Sequence, residues 1–263
     1  MESSFGTLLR QWRTARRMSQ EQLALSAEVS TRHISCVETG RAQPSREMVL
    51  VLAGALDVPL REQNALLTSA GYASIYRETD LGAPEMEHVR RAIDFLLARQ
   101  EPYGAAVVDA AWNVHRVNEG AMRMFGALLP GAAGRPDLLS NVMRLLLHPE
   151  GLKPICVNWE EIVTAVMERA QREALLEGPR SAAARMVAEM LTRPDAPRRL
   201  KRPAPGTAMP LVVPIHLRTG DLEVRLFSTI TTLGTPADVT AQELRIESWF
   251  PADDATERWI RSL

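Results

Sequence analysis

Cysteine is scarce in this chain. Cys36 and Cys156 stand far apart, and two separated thiols make neither a disulfide framework nor a metal-ligand cluster. No Cys/His grouping has zinc spacing. A single histidine can suffice for haem, so His115, His148 and His216 stay open as ligands, although a surface or structural histidine is the commoner case. No apolar run is long enough to span a bilayer, and the N-terminus lacks a stretch of signal-peptide length. A reduced, cytoplasmic setting away from the membrane is expected. Catalytic signatures are missing as well: there is no G-x-S-x-G elbow, no phosphate-binding glycine loop and no H-E-x-x-H. The acidic pairs Glu160-Glu161 and Asp253-Asp254 are adjacent, so on a helix they diverge and read as solvated surface. The expectation is a protein that is not an enzyme and requires no cofactor.

Strong net charge is also absent. The total is −1 over 263 residues, which argues against a surface coated for nucleic acid. That sum hides an asymmetry. Residues 1–46 hold seven arginines against four glutamates, a local +3 that leaves −4 for the remainder. A weakly basic N-terminus on an acidic body fits a small DNA-binding module attached to something else. At 46% hydrophobic and 24% charged, the composition is that of an ordinary folded protein.

What is present begins with helices. Phe5, Leu8, Leu9 and Trp12 recur at helical spacing. Ser19 and Gln22 match a capping box ahead of Leu23, Ala24 and Ala27. Ser30 is a good N-cap for a third helix burying Ile34 and Val37 and ending near Gly40. Ser45 opens a fourth helix through Met48, Val49, Leu52, Ala53 and Leu56, and Pro59 a fifth through Leu66 and Leu67. Five short helices make residues 1–76 an all-α unit. Residues 77–101 read as a polar linker and a connecting amphipathic helix with Met86, Val89, Ile93, Leu96 and Leu97 on one side.

The texture changes at Pro102. Val107, Val108, Trp112, Val114 and Val117 suggest two strands joined by a tight turn near Asn113. The run LLSNVMRLLLHPEGL reads as one apolar helix, and two longer amphipathic helices follow. After a basic, proline-rich loop at 193–206, three segments, MPLVVPIHLRT, DLEVRLFSTITTLG and ELRIESWFP, read as a meander. A last helix closes the chain. Residues 102–263 are thus expected to form an α+β domain with five strands.

The second and third helices, SQEQLALSAEVSTRHISCVETG, form a helix, a short turn and a helix. In a DNA-binding helix-turn-helix the second helix enters the major groove with its N-terminal residues against base edges. Here those are Thr31 and Arg32, with His33 and Ser35 beside them and Cys36 one turn on. Arginine can donate two bonds to guanine, and threonine can pair with several bases or touch a thymine methyl. Gln20 can reach a phosphate or support a base-reading side chain. The helix that opens after Ser30 offers N–H groups to phosphates, and Arg13, Arg16, Arg17 and Arg41 supply surrounding charge. The same geometry also occurs in helical bundles that never touch DNA.

Residues 5–70 closely resemble the XRE-type helix-turn-helix domain, the five-helix fold of phage repressors. The matching residues are Leu9, Arg16, SQEQLA (19–24), STRHIS (30–35), VETGRAQPS (37–45) and LAGAL (52–56). The resemblance implies sequence-specific binding to double-stranded DNA as a homodimer, with Gln20, Thr31, Arg32 and Cys36 facing DNA and His33 on the phosphate side. The stretch from about 102 resembles the ligand-binding region of MmyB-like transcription regulators. It does so through PYGAAVVDAAWNVHRVNEGA, MRLLLHPEG, VNWEEI and FSTITTLGTPADVTAQELRIESWFP. That resemblance implies a PAS-like sensor with a five-stranded antiparallel sheet and a lipophilic small molecule, a fatty acid, between sheet and helices. The sequence offers Trp112, Met122, Phe125, Leu145, Trp159 and Phe227 as apolar liners, each of which could equally be core. Asn118, Arg144, His148 and Arg225 are the polar candidates for a carboxylate partner. The alternative is a ligand-free C-terminal module that binds another protein.

Overall fold

The computed structural model describes residues 4–132, 134–178, 181–192 and 212–263. The loop read at 193–206 lies outside the described residues. The chain falls into two compact units, one of residues 1–79, 175–180 and 235–242, the other of residues 80–174, 181–234 and 243–263.

In the first unit, serine caps set the helix starts. Helix α1 (Phe5–Ala15) begins after Ser4, whose hydroxyl accepts the Thr7 N–H. Helix α2 (Gln20–Ser26) opens on the expected capping box: Ser19 Oγ accepts the Gln22 N–H at 3.0 Å, and Gln22 Oε1 accepts the Ser19 N–H at 2.7 Å. Ser30 caps α3 (Thr31–Glu38), and Ser45 caps α4 (Arg46–Ala55). Helix α5 (Leu60–Ser69) follows Pro59. Leu9, Leu23, Ile34, Val49, Leu52 and Leu67 are fully buried between these helices. The crossing of α1 over α3 requires a glycine. A Cβ at Gly6 would stand 2.5 Å from the Glu38 carbonyl oxygen and 2.6 Å from that of Val37.

The second unit starts with α6 (Glu87–Gln100). This helix does more than connect. Ile93 and Leu97 pack on Ala105, Val107 and Ile246 of the sheet, while Leu96 is left exposed. Strands β1 (Ala105–Val108) and β2 (Val114–Val117) lead into α7 (Glu119–Leu128). The apolar run after it is not one helix but two, α8 (Pro136–Leu139) and α9 (Val142–Leu147). Asn141 causes the break. Its Oδ1 accepts the Arg144 N–H at 3.1 Å, and its amide donates to the Ala111 carbonyl and to Asn113 Oδ1. A side chain spent on capping and on the neighbouring turn ends one helix and starts another. Then follow in chain order α10 (Trp159–Glu177), α11 (Ala182–Thr192), β3 (Ile215–Thr219), β4 (Leu222–Thr232), α12 (Val239–Glu243), β5 (Arg245–Pro251) and α13 (Asp254–Ser262), of which the end of α10 and most of α12 count with the first unit.

The five strands form one antiparallel sheet in the order β2-β1-β5-β4-β3. Its register pairs Ala106 with both Val117 and Glu247, and Glu247 with Ile230. Side chains alternate across a strand, so Ala106, Glu247, Trp249 and Leu226 share one face. Helix α6 covers one side of the sheet, and α7, α9 and α10 cover the other. The PAS-like α+β class expected from the sequence is the one observed.

The β1–β2 turn is built on Asp109. One carboxylate oxygen accepts the N–H groups of Ala111 (2.8 Å) and Asn113 (3.0 Å); the other accepts the Asn113 amide and faces His115 Nε2, both at 3.1 Å. Between these contacts Trp112 adopts φ 65°. This left-handed backbone is uncommon for a bulky residue and persists only where the surroundings over-determine it. Burial pushes the Asp109 carboxyl up, but the hydrogen bonds from His115 and Asn113 outweigh it and hold the group below its ordinary 3.8. The same bond raises His115 above 6.5, against the opposing effect of burial.

Two predictions follow from these contacts. Gly6→Ala should destabilise the first unit by about 1–3 kcal/mol through overpacking, read as a lower thermal midpoint. An unchanged midpoint would mean that α1 and α3 part without cost. Asp109→Ala should cost about 1–3 kcal/mol by orphaning the turn's donors. The carboxylate's contribution is present above pH 3.8 and fades as pH falls through its lowered native value. That of protonated His115 is complete below pH 6.5 and is lost as pH rises through its raised native value. Amide exchange at Ala111 and Asn113 should therefore be slowest, relative to intrinsic rates, between those limits. Protection with no dependence on pH would contradict the pairing.

Candidate functional site

Two sites emerge, one in each unit. On the first, Thr31 and Arg32 are exposed at the start of α3, held there because Ile34 and Val37 on the opposite face are buried. Arg32, Arg17 and Arg41 are all exposed, and their side chains make no hydrogen bond or ion pair among the described residues. Ser30 spends its hydroxyl on the His33 N–H. Ser35 and Cys36 are half-buried, Cys36 as a free thiol. His33 is half-buried too, and its Nε2 has no partner among the described residues.

Beneath this surface lies a buried charge cluster. The Glu38 carboxylate, 3% exposed, accepts from Arg13 Nε at 2.6 Å and Nη2 at 3.0 Å, and from Gln20 Nε2 at 2.8 Å. Burial alone would push Glu38 up, but the hydrogen bonds from Arg13 and Gln20 prevail and keep it below the usual carboxylate range. One residue from each of α1 and α2 is thus tied to the end of α3. The expected roles of three residues change accordingly. Gln20 braces α3 through Glu38, its amide nitrogen already engaged. Arg13 belongs to the interior. Arg16 is a brace: it donates to the carbonyls of Leu56 and Asp57 at 2.8 Å and lies over the Trp12 ring.

The second site is a cavity of about 400 Å³ between the sheet and its covering helices. Ala106, Leu226, Glu247 and Trp249 line it from the sheet; Phe125, Leu145, Leu146 and Ile162 line it from the helices. Met122, Val117 and Leu139 line it and are also exposed, so the cavity opens to solvent beside them. Its volume falls in the range of small-molecule pockets.

Of the expected liners, Trp112, Met122, Phe125 and Leu145 are in the wall. The other candidates are not. Phe227 alternates with the inward Leu226 and stacks on Phe250. Trp159 packs outside, donating to the Leu146 carbonyl at 3.0 Å under Lys153. Asn118 is buried, but it caps α7 through Ala121 and bonds the backbone of Ala105 and Tyr103. Arg144 is exposed and faces Glu189. His148 caps the end of α9 and accepts the Glu150 N–H. Arg225 is exposed between Glu223 and Asp253. None of the four polar candidates reaches the cavity, nor do His115 and His216.

The residue that sequence reasoning missed is Glu247. It is 5% exposed, it lines the cavity, and its Oε2 has no hydrogen-bond partner among the described residues. Burial raises its pKa, which favours the uncharged acid. The signal was present in the alternation of Glu247 with Trp249, which puts both on one face. Cys156, also buried, has its thiol pushed up to about 11 by burial, which leaves it a poor nucleophile.

Among the described residues, no helix is long and apolar enough to cross a membrane, and no group of three or more His, Cys, Asp or Glu could hold a metal ion. Comparison with known proteins gives a family match in each part of the chain. Residues 4–66 match the model of a helix-turn-helix domain. Residues 89–263 match that of the MmyB-like transcription regulator ligand binding domain. No curated protein matches the chain at a significant level. A solved structure described as an RNA-binding light-oxygen-voltage receptor aligns at 12% identity over 95% of this chain, with a TM-score of 0.30. The chain spans 59% of that protein, and a likeness so slight carries no argument. With its second unit covered by the ligand-binding model, the chain belongs to the family of MmyB-like transcription regulators.

Proposed function

We propose that this regulator reads duplex DNA through the first turn of α3 and senses a fatty acid in the cavity of its second unit. The carrying observation is the cavity itself: about 400 Å³ walled almost wholly by carbon, inside the matched ligand-binding domain. Each methylene buried in such a site contributes about 0.8 kcal/mol, so an acyl chain is the ligand class it suits. The exposed Thr31 and Arg32 on a braced helix support the DNA-reading role. We assign the first unit to the XRE type on the pattern of residues 19–45. We take the acting species to be a cytoplasmic homodimer on half-sites about 34–36 Å apart or a multiple of that. Regulation then works by binding alone. A ligand that prefers one arrangement of the protein shifts DNA affinity by that preference, without catalysis.

Arg32→Ala should weaken binding to the specific site by about 1–3 kcal/mol and relax preference at one base pair. Unchanged operator binding would remove Arg32 from base reading. Arg17→Ala should weaken all sequences alike and flatten the salt dependence; a base-specific loss would contradict a phosphate contact. For the ligand, native mass spectrometry of purified protein should reveal a retained acyl chain, or a thermal shift should appear with decanoic, dodecanoic or tetradecanoic acid. Protein that carries nothing and does not respond to any of them would favour a ligand-free module that binds another protein.

A further inference from the structure

The cavity wall is apolar except at two points. These are Glu247 and Trp112, whose Oε2 and indole Nε1 are buried and have no hydrogen-bond partner among the described residues. Both side chains are nearly inaccessible, at 5% and 2% exposure. Buried polar atoms are almost always paired, so two unpaired ones on a single cavity wall mark where a ligand's polar group belongs.

Their shared neighbour is Arg169 on α10. Its guanidinium lies 4.6 Å from the centre of the Trp112 ring and acts electrostatically on Glu247. Arg169 is paired with Glu173 at 2.9 Å, and Glu173 also accepts from Arg245 at 2.5 Å. The charges that act on the Glu247 carboxyl are thus those of Arg169 and Glu173. Ser228 on β4 acts on the carboxyl in the direction opposite to burial.

Resting on the lipid-sensing reading above, we propose that Glu247, as an O–H donor, and Trp112, as an N–H donor, together anchor the oxygen-bearing head of the ligand. Indole nitrogen can only donate. A carboxylic acid kept uncharged in an apolar site donates as well, even to an anionic oxygen. Two donors select a head with acceptor oxygens, such as a carboxyl or carbonyl group, and disfavour an ammonium head. The acyl tail then lies among Phe125, Leu145 and Leu146, with Met122 at the opening.

The test is the affinity of the full chain for dodecanoic acid and for dodecylamine, measured by calorimetry on the unmodified protein and on E247Q, E247L and W112F. Glutamine keeps a donor and the shape without the possibility of charge. The expectation is that E247Q binds the acid within about twofold of the parent, and that E247L and W112F each lose roughly tenfold, the worth of one hydrogen bond. The acid should bind better than the amine throughout. In the parent protein the indole N–H resonance absent from W112F should move downfield on adding the acid, a readout that does not depend on the other variants folding. Loss in E247Q equal to that in E247L, or a preference for the amine, would overturn the proposal by making Glu247 an anion. Equal acid affinity in all four proteins would remove the anchor while leaving the lipid sensor intact. No saturable binding of either probe to the parent would refute the sensor reading and the anchor with it.

Discussion

The placement of α3 depends on the buried carboxylate of Glu38. Carrying a charge into an interior is costly unless it is paired and its remaining lone pairs are occupied. Here Arg13 offers two N–H groups and Gln20 a third, each from a different helix. Removing any one would leave a buried charge short of a partner, so the three helices are fixed together or not at all. The close crossing at Gly6 has the same consequence, because α1 runs against the backbone of α3 with no side chain between them. The helix can therefore present Thr31 and Arg32 to solvent as a rigid edge, and their side chains are free because neighbouring residues do the holding.

Glu247 is the counterpart in the second unit, and the contrast explains both. Glu38 has an arginine at 2.6 Å and stays charged below the usual range. Glu247 has no hydrogen-bonded cation among the described residues, and its pKa moves the other way. The same side chain is thus held as an anion in one core and pushed toward the uncharged acid in the other. What differs is the partner supplied by the fold: Arg169, the nearby candidate, is turned to Glu173 and the Trp112 ring. Trp112 itself is held by the Asp109 turn in a backbone conformation it would not choose alone. Strain of that kind tends to accompany sites that need a side chain in one place.

Much of this was legible in the sequence wherever the physics is local. Ser19, Ser30 and Ser45 announce helix starts because a cap is a bond between residues three apart. The first unit's core follows from helical spacing. The exposed ends of α3 follow once Ile34 and Val37 are assigned inward. In the second unit, aromatic and aliphatic runs identified Trp112, Met122, Phe125 and Leu145 as liners. Period-two alternation could not say which strand face looks inward, and so Phe227 was chosen where Leu226 faces the cavity. The polar candidates failed for one reason. Asn118, Arg144, His148 and Arg225 are groups that ordinarily find partners, and each finds one in a cap or a surface ion pair. Glu247 was overlooked because an acid in a strand reads as solvent-facing. Its burial depends on register with Ala106 and on cover from α10, and neither is encoded locally.

On the proposed reading, sensing a fatty acid requires less energy than the cavity can supply. Coupling between two sites in regulators is typically about 1–3 kcal/mol. At about 0.8 kcal/mol per buried methylene, that equals the difference between sealing and exposing roughly two to four carbons of an acyl chain. Met122, Val117 and Leu139 line the cavity and face solvent at the same time, so how completely they cover a bound chain is the variable with that leverage. An arrangement of the protein that closes them over the tail is favoured by the ligand, and one that leaves the tail wet is not. By linkage, DNA that prefers the closed arrangement would bind more tightly when lipid is present, and DNA that prefers the open one would be released. A shift of a few ångströms at one rim can therefore carry the signal, and the cavity's apolar depth can stay unchanged while it does.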